Sequence, residues 1–366
     1  MRVVVLVICL IIMLSAGTQV AAQYEICAYL AGWGDWRAED IQGDKLTQLN
    51  YAFAVISNGR AVFARQYDID NMALLAAIKT RYPHLKINLA VGGGSEAEAF
   101  HQLALTPQGR RKFCKSLVGL LTKYNFDGVD VDWESPGDYA DSSGSEAFAS
   151  ADRENFTTLL AEIRLYLDKL QKVTGKRYQL SSAGGPGRSY LANIEGERVA
   201  AIVDQANIMT YDFHGGWDYQ TAHHTNLDGK DGTPSGIINV KLAVQNYLNA
   251  GFAPDQLVIG IALYGRSWKK VYADDAGLYQ MSKTEGGAEY TYDGLKKNYF
   301  GKNGFKRIWD NEASAAYLWN GSEFITYDDT QSVADKARYV VSSNLRGLML
   351  WEYSQNIDGE LLNALY

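Results

Sequence analysis

Short apolar runs alternate along the chain with segments whose apolar residues recur every three or four positions. The first pattern is typical of buried strands and the second of amphipathic helices, so their alternation predicts successive strand–helix units around a parallel sheet. Eight strands are predicted, at residues 26–30, 49–56, 86–91, 128–133, 178–183, 206–211, 257–263 and 347–352.

Helix start and stop signals lie between these strands. Thr106 and Pro107 offer an N-cap and a first-turn proline for a helix that runs through Tyr124. Three more helices are predicted from apolar stripes or from a following glycine or asparagine, at residues 156–170, 237–250 and 332–343.

One connection is much longer than the others. More than 80 residues separate the seventh and eighth strands, and residues 271–324, rich in Tyr, Gly and short polar turns, predict a small α+β insertion. Eight strand–helix units with one insertion predict a (β/α)₈ TIM barrel over residues 23–366, since this fold spans about 250 residues and exceeds 400 with insertions.

The amino terminus carries a different signal. One Arg, an apolar run and small residues up to Ala22 predict a secretory signal peptide over residues 1–22, and hence a secreted, extracellular protein. No later stretch reaches the ~18 consecutive apolar residues of a transmembrane helix, so we expect no membrane partner. Cys27 and Cys114 would remain, too few for a disulfide scaffold; two buried free thiols are favoured over a mutual disulfide.

Composition narrows the class of partner. A chain that is 47% hydrophobic and 12% aromatic can bury a large core, which excludes disorder. The formal net charge of −7 gives no support for a phosphate-neutralising surface, so we expect no nucleic-acid partner. A neutral ligand fits better.

Four carboxyl groups fall within eight residues of the fourth predicted strand, in the stretch FDGVDVDWESPG. Because side chains two apart share a face of a strand, Asp130, Asp132 and Glu134 line one side and Trp133 the other. In a barrel the carboxyl side would face the axis, with Glu134 at the C-terminal mouth, where barrel enzymes place their chemistry. Asp127 does not follow this two-residue spacing, and we expect it to support the start of the strand.

A buried row of like charges requires shared protons or hydrogen bonds, and this pushes the pKa values of its members apart. The row therefore favours acid–base chemistry. A calcium loop is the rival interpretation, but Ser135 stands where an EF-hand needs Gly, Asp141 stands where it needs Glu, and no helix precedes the loop. We expect no metal and no other cofactor.

The stretch 127–134, DGVDVDWE, resembles the DGxDxDxE signature of glycoside hydrolase family 18, the chitinases and their relatives. The resemblance extends over nearly all of the mature chain. Residues 209–212 (MTYD), 264–268 (YGRSW) and 350–352 (LWE) are similar to the family's motifs at the sixth, seventh and eighth strands. The insertion falls where the chitinase-like subgroup carries its α+β module.

The resemblance implies roles for four residues. Glu134 would be the general acid and base, while the nucleophile is the N-acetyl oxygen of the substrate, an exception to the two-carboxylate scheme. Asp132 would orient the acetamido group and stabilise the oxazolinium intermediate. Tyr211 would donate a hydrogen bond to the acetamido oxygen, and Asp130 would help Asp132 to manage its proton.

The resemblance also implies a sugar-binding groove. Trp351 would form the apolar floor beside the scissile bond. The other residues expected to bind substrate are Asp212, Met209, Tyr264, Arg266, Tyr29, Phe53 and Trp133. Four tryptophans that follow predicted strands are consistent with such a groove without an assigned subsite: Trp33, Trp36, Trp217 and Trp268.

The chain departs from the family pattern at three positions. Ala90 stands where the family usually has a Ser that hydrogen-bonds the counterpart of Asp130. Gly94 replaces a Trp common in chitinases, and Ser135 replaces an aromatic residue that often follows the catalytic Glu. These changes put the pH optimum and the preferred chain length in question.

The favoured hypothesis is a secreted, monomeric chitinase that hydrolyses β-1,4 linkages of chitin or N-acetylglucosamine oligosaccharides with retention. One alternative is an endo-β-N-acetylglucosaminidase acting on glycoprotein or peptidoglycan, which shares the same chemistry. The other is a catalytically weak lectin for chitin oligosaccharides, which the Ala90 departure keeps open.

Overall fold

The computed structural model describes residues 24–137, 146–283 and 287–366. The predicted signal peptide lies outside these residues. The strands are β1 (Glu25–Ala31), β2 (Gln48–Ser57), β3 (Arg60–Val62), β4 (Lys86–Gly92), β5 (Gly128–Asp132), β6 (Gln179–Gly184), β7 (Gln205–Ile208), β8 (Leu257–Ala262), β9 (Tyr264–Trp268), β10 (Glu289–Thr291), β11 (Lys306–Asp310), β12 (Ala315–Trp319), β13 (Phe324–Tyr327) and β14 (Gly347–Trp351). The helices are α1 (Gln66–Arg81), α2 (Ala97–Ala104), α3 (Pro107–Tyr124), α4 (Glu146–Thr174), α5 (Arg188–Ala192), α6 (Gly196–Ala200), α7 (Pro234–Ile237), α8 (Val240–Asn249), α9 (Tyr292–Asn298), α10 (Thr330–Ser342) and α11 (Glu360–Asn363).

Eight parallel strands close into a barrel. Their order around it is β1, β14, β8, β7, β6, β5, β4 and β2, and β2 pairs with β1 again. β3 adds to β2 as an antiparallel hairpin strand. The predicted (β/α)₈ barrel is confirmed, and each of its eight predicted strands overlaps a barrel strand of the structure.

Among the described residues, apolar side chains form two separate layers in the barrel and a third cluster in the insertion, around Trp268 and Phe324. The larger layer lies between the strands and the surrounding helices and includes Val129, Val131 and Trp133 from the outer side of β5. A smaller cluster inside the barrel contains Tyr29, Ala90 and Met349. Cys27 also lies in this inner cluster and Cys114 in the outer layer, and both are buried free thiols, which confirms the favoured interpretation.

The predicted helices are present with shifted ends. Thr106 caps α3 as expected, since its hydroxyl accepts a hydrogen bond from the backbone N–H of Gly109 at 3.1 Å. α8 begins at Val240 and not at 237, because the Asn239 side chain caps it there. Among the described residues, no helix is both long enough and apolar enough to cross a membrane.

β7 ends at Ile208, three residues before the predicted end. The Thr210 hydroxyl donates to the carbonyl of Gly260 at 2.8 Å and accepts from its N–H at 2.7 Å, so the chain leaves the β7 ladder at this point. Asp212 then adopts the left-handed region at φ 56°. Residues 209–212 therefore form a loop at the mouth of the barrel and do not continue the strand.

The insertion between β8 and β14 is built on a five-stranded antiparallel sheet in the order β10, β9, β13, β12, β11. The predicted range, 271–324, is too short at both ends. The sheet begins at Tyr264, because β9 continues almost directly from β8, and it ends at Tyr327, where β13 pairs with β9. The helix α9 packs against β9 and β10 of this sheet.

A buried ion pair attaches the end of this insertion to the barrel. Lys336 on α10 lies 2.7 Å from Asp328, which follows β13, and their side chains are 0% and 1% exposed. Asp328 also accepts a hydrogen bond from the backbone N–H of Ala262 at the end of β8. The pair therefore joins α10, the insertion and the barrel in one contact.

We expect Lys336→Met to lower the free energy of unfolding by about 3 to 5 kcal/mol, because it leaves the Asp328 carboxylate buried without its counter-ion. Urea denaturation would measure this loss. Lys230→Met is the matched control, since Lys230 pairs with Glu312 at the surface and exposed pairs contribute about 0 to 1 kcal/mol. Equal effects in the two variants would contradict the prediction.

Candidate active site

The carboxylate row of β5 lies inside the barrel. Asp130 and Asp132 are 0% and 3% exposed, and Glu134, two residues past the end of the strand, is half-buried at the mouth. Asp127 lies at the opposite end of β5, where Lys79 and Lys176 each approach it to 2.6 Å. Its expected role as support for the strand's entry is consistent with this ion-paired position.

Asp130 receives three hydrogen bonds from residues that the structure describes. The hydroxyls of Tyr29 and Ser181 donate to its carboxylate at 2.5 and 2.6 Å, and the amide of Asn207 donates at 3.1 Å. Ala90 is its register partner on β4, where the absent Ser hydroxyl would have stood. Ser181, its partner on β6, supplies a hydroxyl from the other side.

Asp132 has no comparable support. Its Oδ1 is buried without a hydrogen-bond partner among the described residues. Burial raises the pKa of Asp132 well above its usual range, and the charges of Glu134 and Asp130 raise it further. Burial also raises the pKa of Asp130, but the hydrogen bonds from Ser181, Tyr29 and Asn207 oppose that rise. The donors around Asp130, and their absence at Oδ1 of Asp132 among the described residues, therefore favour the charge of the pair on Asp130 and a shared proton on Asp132.

Glu134 holds its proton to higher pH than an ordinary glutamate does. Burial raises its pKa, and the negative charge of Asp212 adds to the rise. Gly94 leaves space beside it, since a methyl group there would lie 3.3 Å from Oε2 of Glu134. Glycine at position 94, where many chitinases have Trp, thus leaves the mouth of the barrel open next to this carboxyl group.

Gly92 is required for β4 to pass close to the carboxylate strand. Its φ is 122°, and a Cβ there would lie 2.3 Å from the backbone oxygen of Asp132. The next N–H, from Gly93, donates to that same oxygen at 2.9 Å. This contact fixes the backbone of Asp132 just below the mouth.

Tyr211 reaches the carboxylates from the loop after β7. Its ring packs against Gly260, and its hydroxyl lies 3.8 Å from the sulfur of Met349. Burial and the nearby charge of Asp132 raise its pKa well above 10, so the phenol stays a hydrogen-bond donor. Met209 packs against the same inner cluster.

Asp212 is the centre of a second group at the mouth. Tyr264 donates to its carboxylate at 2.6 Å, and Arg266 forms two hydrogen bonds with it, at 2.5 and 2.8 Å. The buried His224 ring lies 3.7 Å away. Burial would raise the pKa of Asp212, but the nearby His224 ring and the hydrogen bonds and charge of Arg266 outweigh it and leave the pKa well below its usual range.

Aromatic side chains line a cavity that opens beside Glu134. Trp351 stacks on Phe53 with ring centroids 5.8 Å apart, and Tyr29 meets the edge of Trp351 at 5.4 Å. Trp33, 56% exposed, continues the row at 6.1 Å from Phe53. The cavity measures about 360 Å³ and is lined by Glu134 together with Trp33, Phe53 and Trp351, whereas Tyr29 is buried at 1% exposure and does not line it.

Comparisons with known proteins identify the family of this chain. A family profile described as glycosyl hydrolases family 18 matches residues 25–356. The chain belongs to this family.

Among the family's curated members, Chitinase A1 of Niallia circulans is 34% identical over 96% of this chain. The chain spans only 59% of the length of that protein. An N-acetylglucosaminidase structure from Paenibacillus barengoltzii is 37% identical, covering 94% of this chain and 99% of that one, with a TM-score of 0.86. The Group IV chitinase of Ostrinia furnacalis in complex with allosamidin is 29% identical over 94% of this chain and 98% of that one, with a TM-score of 0.82.

One expected substrate-binding residue of this family 18 chain lies elsewhere. Trp133 is 1% exposed, stacks on Phe100 with centroids 5.3 Å apart and meets Phe156 edge-on. The prediction is wrong because the strand alternation that turns Asp132 inward turns Trp133 toward the helices.

The four unassigned tryptophans divide into two groups. Trp36 and Trp268 are buried at 7% and 0% exposure. Trp33 and Trp217 are 56% and 59% exposed, and Trp217 packs under the Arg266 guanidinium at 4.8 Å. Only the exposed pair is available to a ligand at the mouth.

Sequence reasoning missed Ser181 and Asn207, two of the three hydrogen-bond donors to Asp130. A signal was present, because polar residues also alternate on the neighbouring strands, at Gln179 and Ser181 on β6 and at Gln205 and Asn207 on β7. Among the described residues, no group of three or more His, Cys, Asp or Glu side chains could hold a metal ion.

We expect Trp133→Leu to lower the free energy of unfolding by about 2 to 4 kcal/mol, because it leaves a cavity between Phe100 and Phe156. Thermal and urea denaturation would measure the loss. Trp33→Leu is the control, as it removes the same indole from an exposed position, and we expect it to change stability by less than about 0.5 kcal/mol. A stable Trp133→Leu protein would argue against the core assignment.

Proposed function

We propose that this protein is a secreted chitinase that hydrolyses β-1,4 linkages of N-acetylglucosamine polymers with retention, through participation of the substrate's N-acetyl group. The observation that carries the proposal is the row Asp130, Asp132 and Glu134, which leads to a carboxyl group with a raised pKa at an aromatic cavity. The relatives named chitinase support this substrate class.

In the first step, the acetamido oxygen of the sugar attacks its own C1 as the glycosidic C1–O bond breaks. Glu134, kept protonated by its raised pKa, gives its proton to the departing oxygen. Asp132 presents Oδ1, which has no partner among the described residues, to the acetamido N–H. The N–H is thereby polarised, which stabilises the positive charge of the oxazolinium.

Tyr211 assists the same step from the other side of the site. Its neutral hydroxyl can donate to the acetamido oxygen and hold it in the attacking orientation. Trp351, stacked on Phe53, offers an apolar face for the C–H surface of the sugar. Asp212, Tyr264 and Arg266 form a fixed polar edge beside it.

In the second step, Glu134 is an anion and takes a proton from a water that attacks C1. The oxazolinium ring shields one face of C1, so water enters on the face that the leaving group left, and the configuration is retained. The ring opens to restore the acetamido group, and Glu134 has its proton back. No enzyme nucleophile is required.

Localisation and assembly belong to this proposal. The apolar run at residues 1–22 supports secretion, and the monomer stays a prediction. An endo-β-N-acetylglucosaminidase and an oligosaccharide lectin remain the competing functions. Products from a defined N-acetylglucosamine hexamer, compared with those from high-mannose glycopeptides and peptidoglycan, would separate the two enzymes, while binding without release of reducing ends would favour the lectin.

We expect Glu134→Gln to lower kcat on a fluorogenic chitobioside at least about 100-fold, because it removes the general acid and base. Calorimetry should show that oligosaccharide binding persists. Glu96→Gln is a matched control, since the Glu96 side chain accepts a hydrogen bond from the N–H of Ile56 and Gln can do the same. In the wild type, proton NMR should show the β-anomer of the product first. A fully active Glu134→Gln protein, or a product whose α-anomer forms first, would contradict the mechanism.

We expect Asp212→Asn to move the alkaline limb of the kcat/KM profile to lower pH by roughly half a unit to one unit. The negative charge of Asp212 raises the pKa of Glu134, so its removal lets Glu134 lose the catalytic proton at lower pH. Asp168→Asn, a half-exposed carboxylate on α4, should leave the limb in place. A limb that stays fixed, or moves to higher pH, in Asp212→Asn would contradict the assignment of Glu134 as the acid.

A further inference from the structure

A row of amide side chains crosses the barrel interior beneath the catalytic carboxylates. Gln205 and Asn207, both on β7, are 0% exposed. The amide nitrogen of Gln205 donates to Oδ1 of Asn207 at 2.7 Å, and the amide nitrogen of Asn207 donates to Asp130 at 3.1 Å and to the hydroxyl of Tyr29 at 3.0 Å. Tyr29 in turn donates to Asp130. The row therefore reaches Asp130 by two routes.

The other end of the row meets a cation. Nε of Arg346, next to the start of β14, donates to Oε1 of Gln205 at 3.1 Å. Gln179 on β6 donates to the same oxygen at 2.9 Å. Arg346 lines a cavity of about 520 Å³ at the N-terminal end of the barrel, away from Glu134. Three successive hydrogen bonds thus connect that end with the catalytic pair.

The direction of this row is fixed at both ends. A guanidinium has only donors, so Gln205 must present its oxygen to Arg346 and its nitrogen to Asn207. An ionised carboxylate has only acceptors, so Asn207 must present its nitrogen to Asp130. Every amide dipole therefore has its positive end toward Asp130, and hydrogen bonds aligned in this way strengthen one another in a low-dielectric interior.

We infer that Arg346, Gln205 and Asn207 are positioning residues that keep Asp130 ionised and thereby hold the proton of the aspartate pair on Asp132. Asp132, with a buried oxygen lacking a partner among the described residues, receives no such donors. The inference rests on the proposed function, in which Asp132 presents this oxygen to the substrate. It assigns a role in that chemistry to residues that do not touch the sugar.

Other titratable groups near Asp130 leave this balance unchanged near neutral pH. Cys27 and Tyr29 face it from β1, and Tyr190 on α5 and Tyr211 feel its charge. Burial raises the pKa of all four, so they stay neutral. The charged or proton-bearing neighbours are Asp132 and Glu134 on its own segment, and Arg346, which also lies 3.4 Å from Glu25.

The test is the acid limb of kcat/KM on a fluorogenic chitobioside. Loss of the row makes Asp130 easier to protonate, so the limb should move to higher pH by about half a unit in Gln205→Met and by a smaller step in Arg346→Met. Arg346→Lys keeps the charge and should restore the wild-type limb. Arg177→Met is the matched control, because Arg177 lines the same cavity but pairs with Asp204 outside the row. The inference would be overturned if the acid limb of kcat/KM lay at the same pH in Gln205→Met, Arg346→Met and Arg177→Met.

A second readout separates this inference from the proposed function. Carbon-13 NMR of side-chain carboxyls, with Asp130 assigned by its absence in Asp130→Asn, reports the Asp130 titration whether or not the protein turns over substrate. The Asp130 midpoint should rise in Arg346→Met and stay fixed in Arg177→Met. If the Asp130 midpoint shifts but the wild type does not hydrolyse the substrate, only the proposed function is rejected. If the wild type hydrolyses the substrate but the midpoint does not shift, only the role of the row is rejected. Arg346→Met decides the matter if Gln205→Met fails to fold.

Discussion

The burial of carboxyl groups inside an apolar barrel is the constraint on which the rest of this structure depends. Asp130 is fully buried, and Asp132 nearly so, on one side of a five-residue strand. Charged groups in such a place must be hydrogen-bonded or must hold a proton. The protein uses both solutions, since donors surround Asp130 and none reaches Oδ1 of Asp132 among the described residues. Because of this asymmetry, Asp130 is the better stabilised as a charged group, while Oδ1 of Asp132 can accept a hydrogen bond from a ligand.

The side chains inside the barrel form a polar group and an apolar group that correspond to this asymmetry. Polar side chains of β6 and β7 hold Asp130 from one side, while Ala90, Val258 and Met349 form the apolar remainder. The missing hydroxyl at Ala90 therefore does not leave Asp130 without hydroxyl partners. Support comes from Tyr29 and Ser181, on β1 and β6, so a departure from the family pattern at one position is met by donors from other strands.

The mouth of the barrel combines a rigid polar edge with an apolar floor. Asp212 is held by Tyr264 and Arg266, which belong to the first strand of the inserted sheet. The insertion is thus part of the site's wall as well as an addition to the fold. The buried pair Lys336 and Asp328 fixes the end of this insertion to β8, so the position of the wall depends on a contact made below the surface.

The sequence by itself determined the barrel and the carboxylate row, because strand periodicity, the length of the connections and side-chain alternation are local properties of the chain. The residues expected at the mouth came from the resemblance to the family 18 motifs and not from these patterns. The same alternation already placed Trp133 on the outer side of β5, and its assignment to the substrate contradicted that pattern. The position of the inserted sheet was found only approximately, because β9 follows β8 with one residue between them.

Only the tertiary structure decided which groups hold Asp130. Ser181, Asn207 and Tyr29 lie 51, 77 and 101 positions away from it, and the register of β5, β6 and β7 brings two of them to one carboxylate. The Arg346 side chain enters the same row from beside the last barrel strand. A periodic pattern states which face a residue occupies, but the closure of the barrel determines which distant residues share that face at the same level. The hydrogen-bond partners, and the pKa differences that follow from them, are therefore properties of the closed barrel.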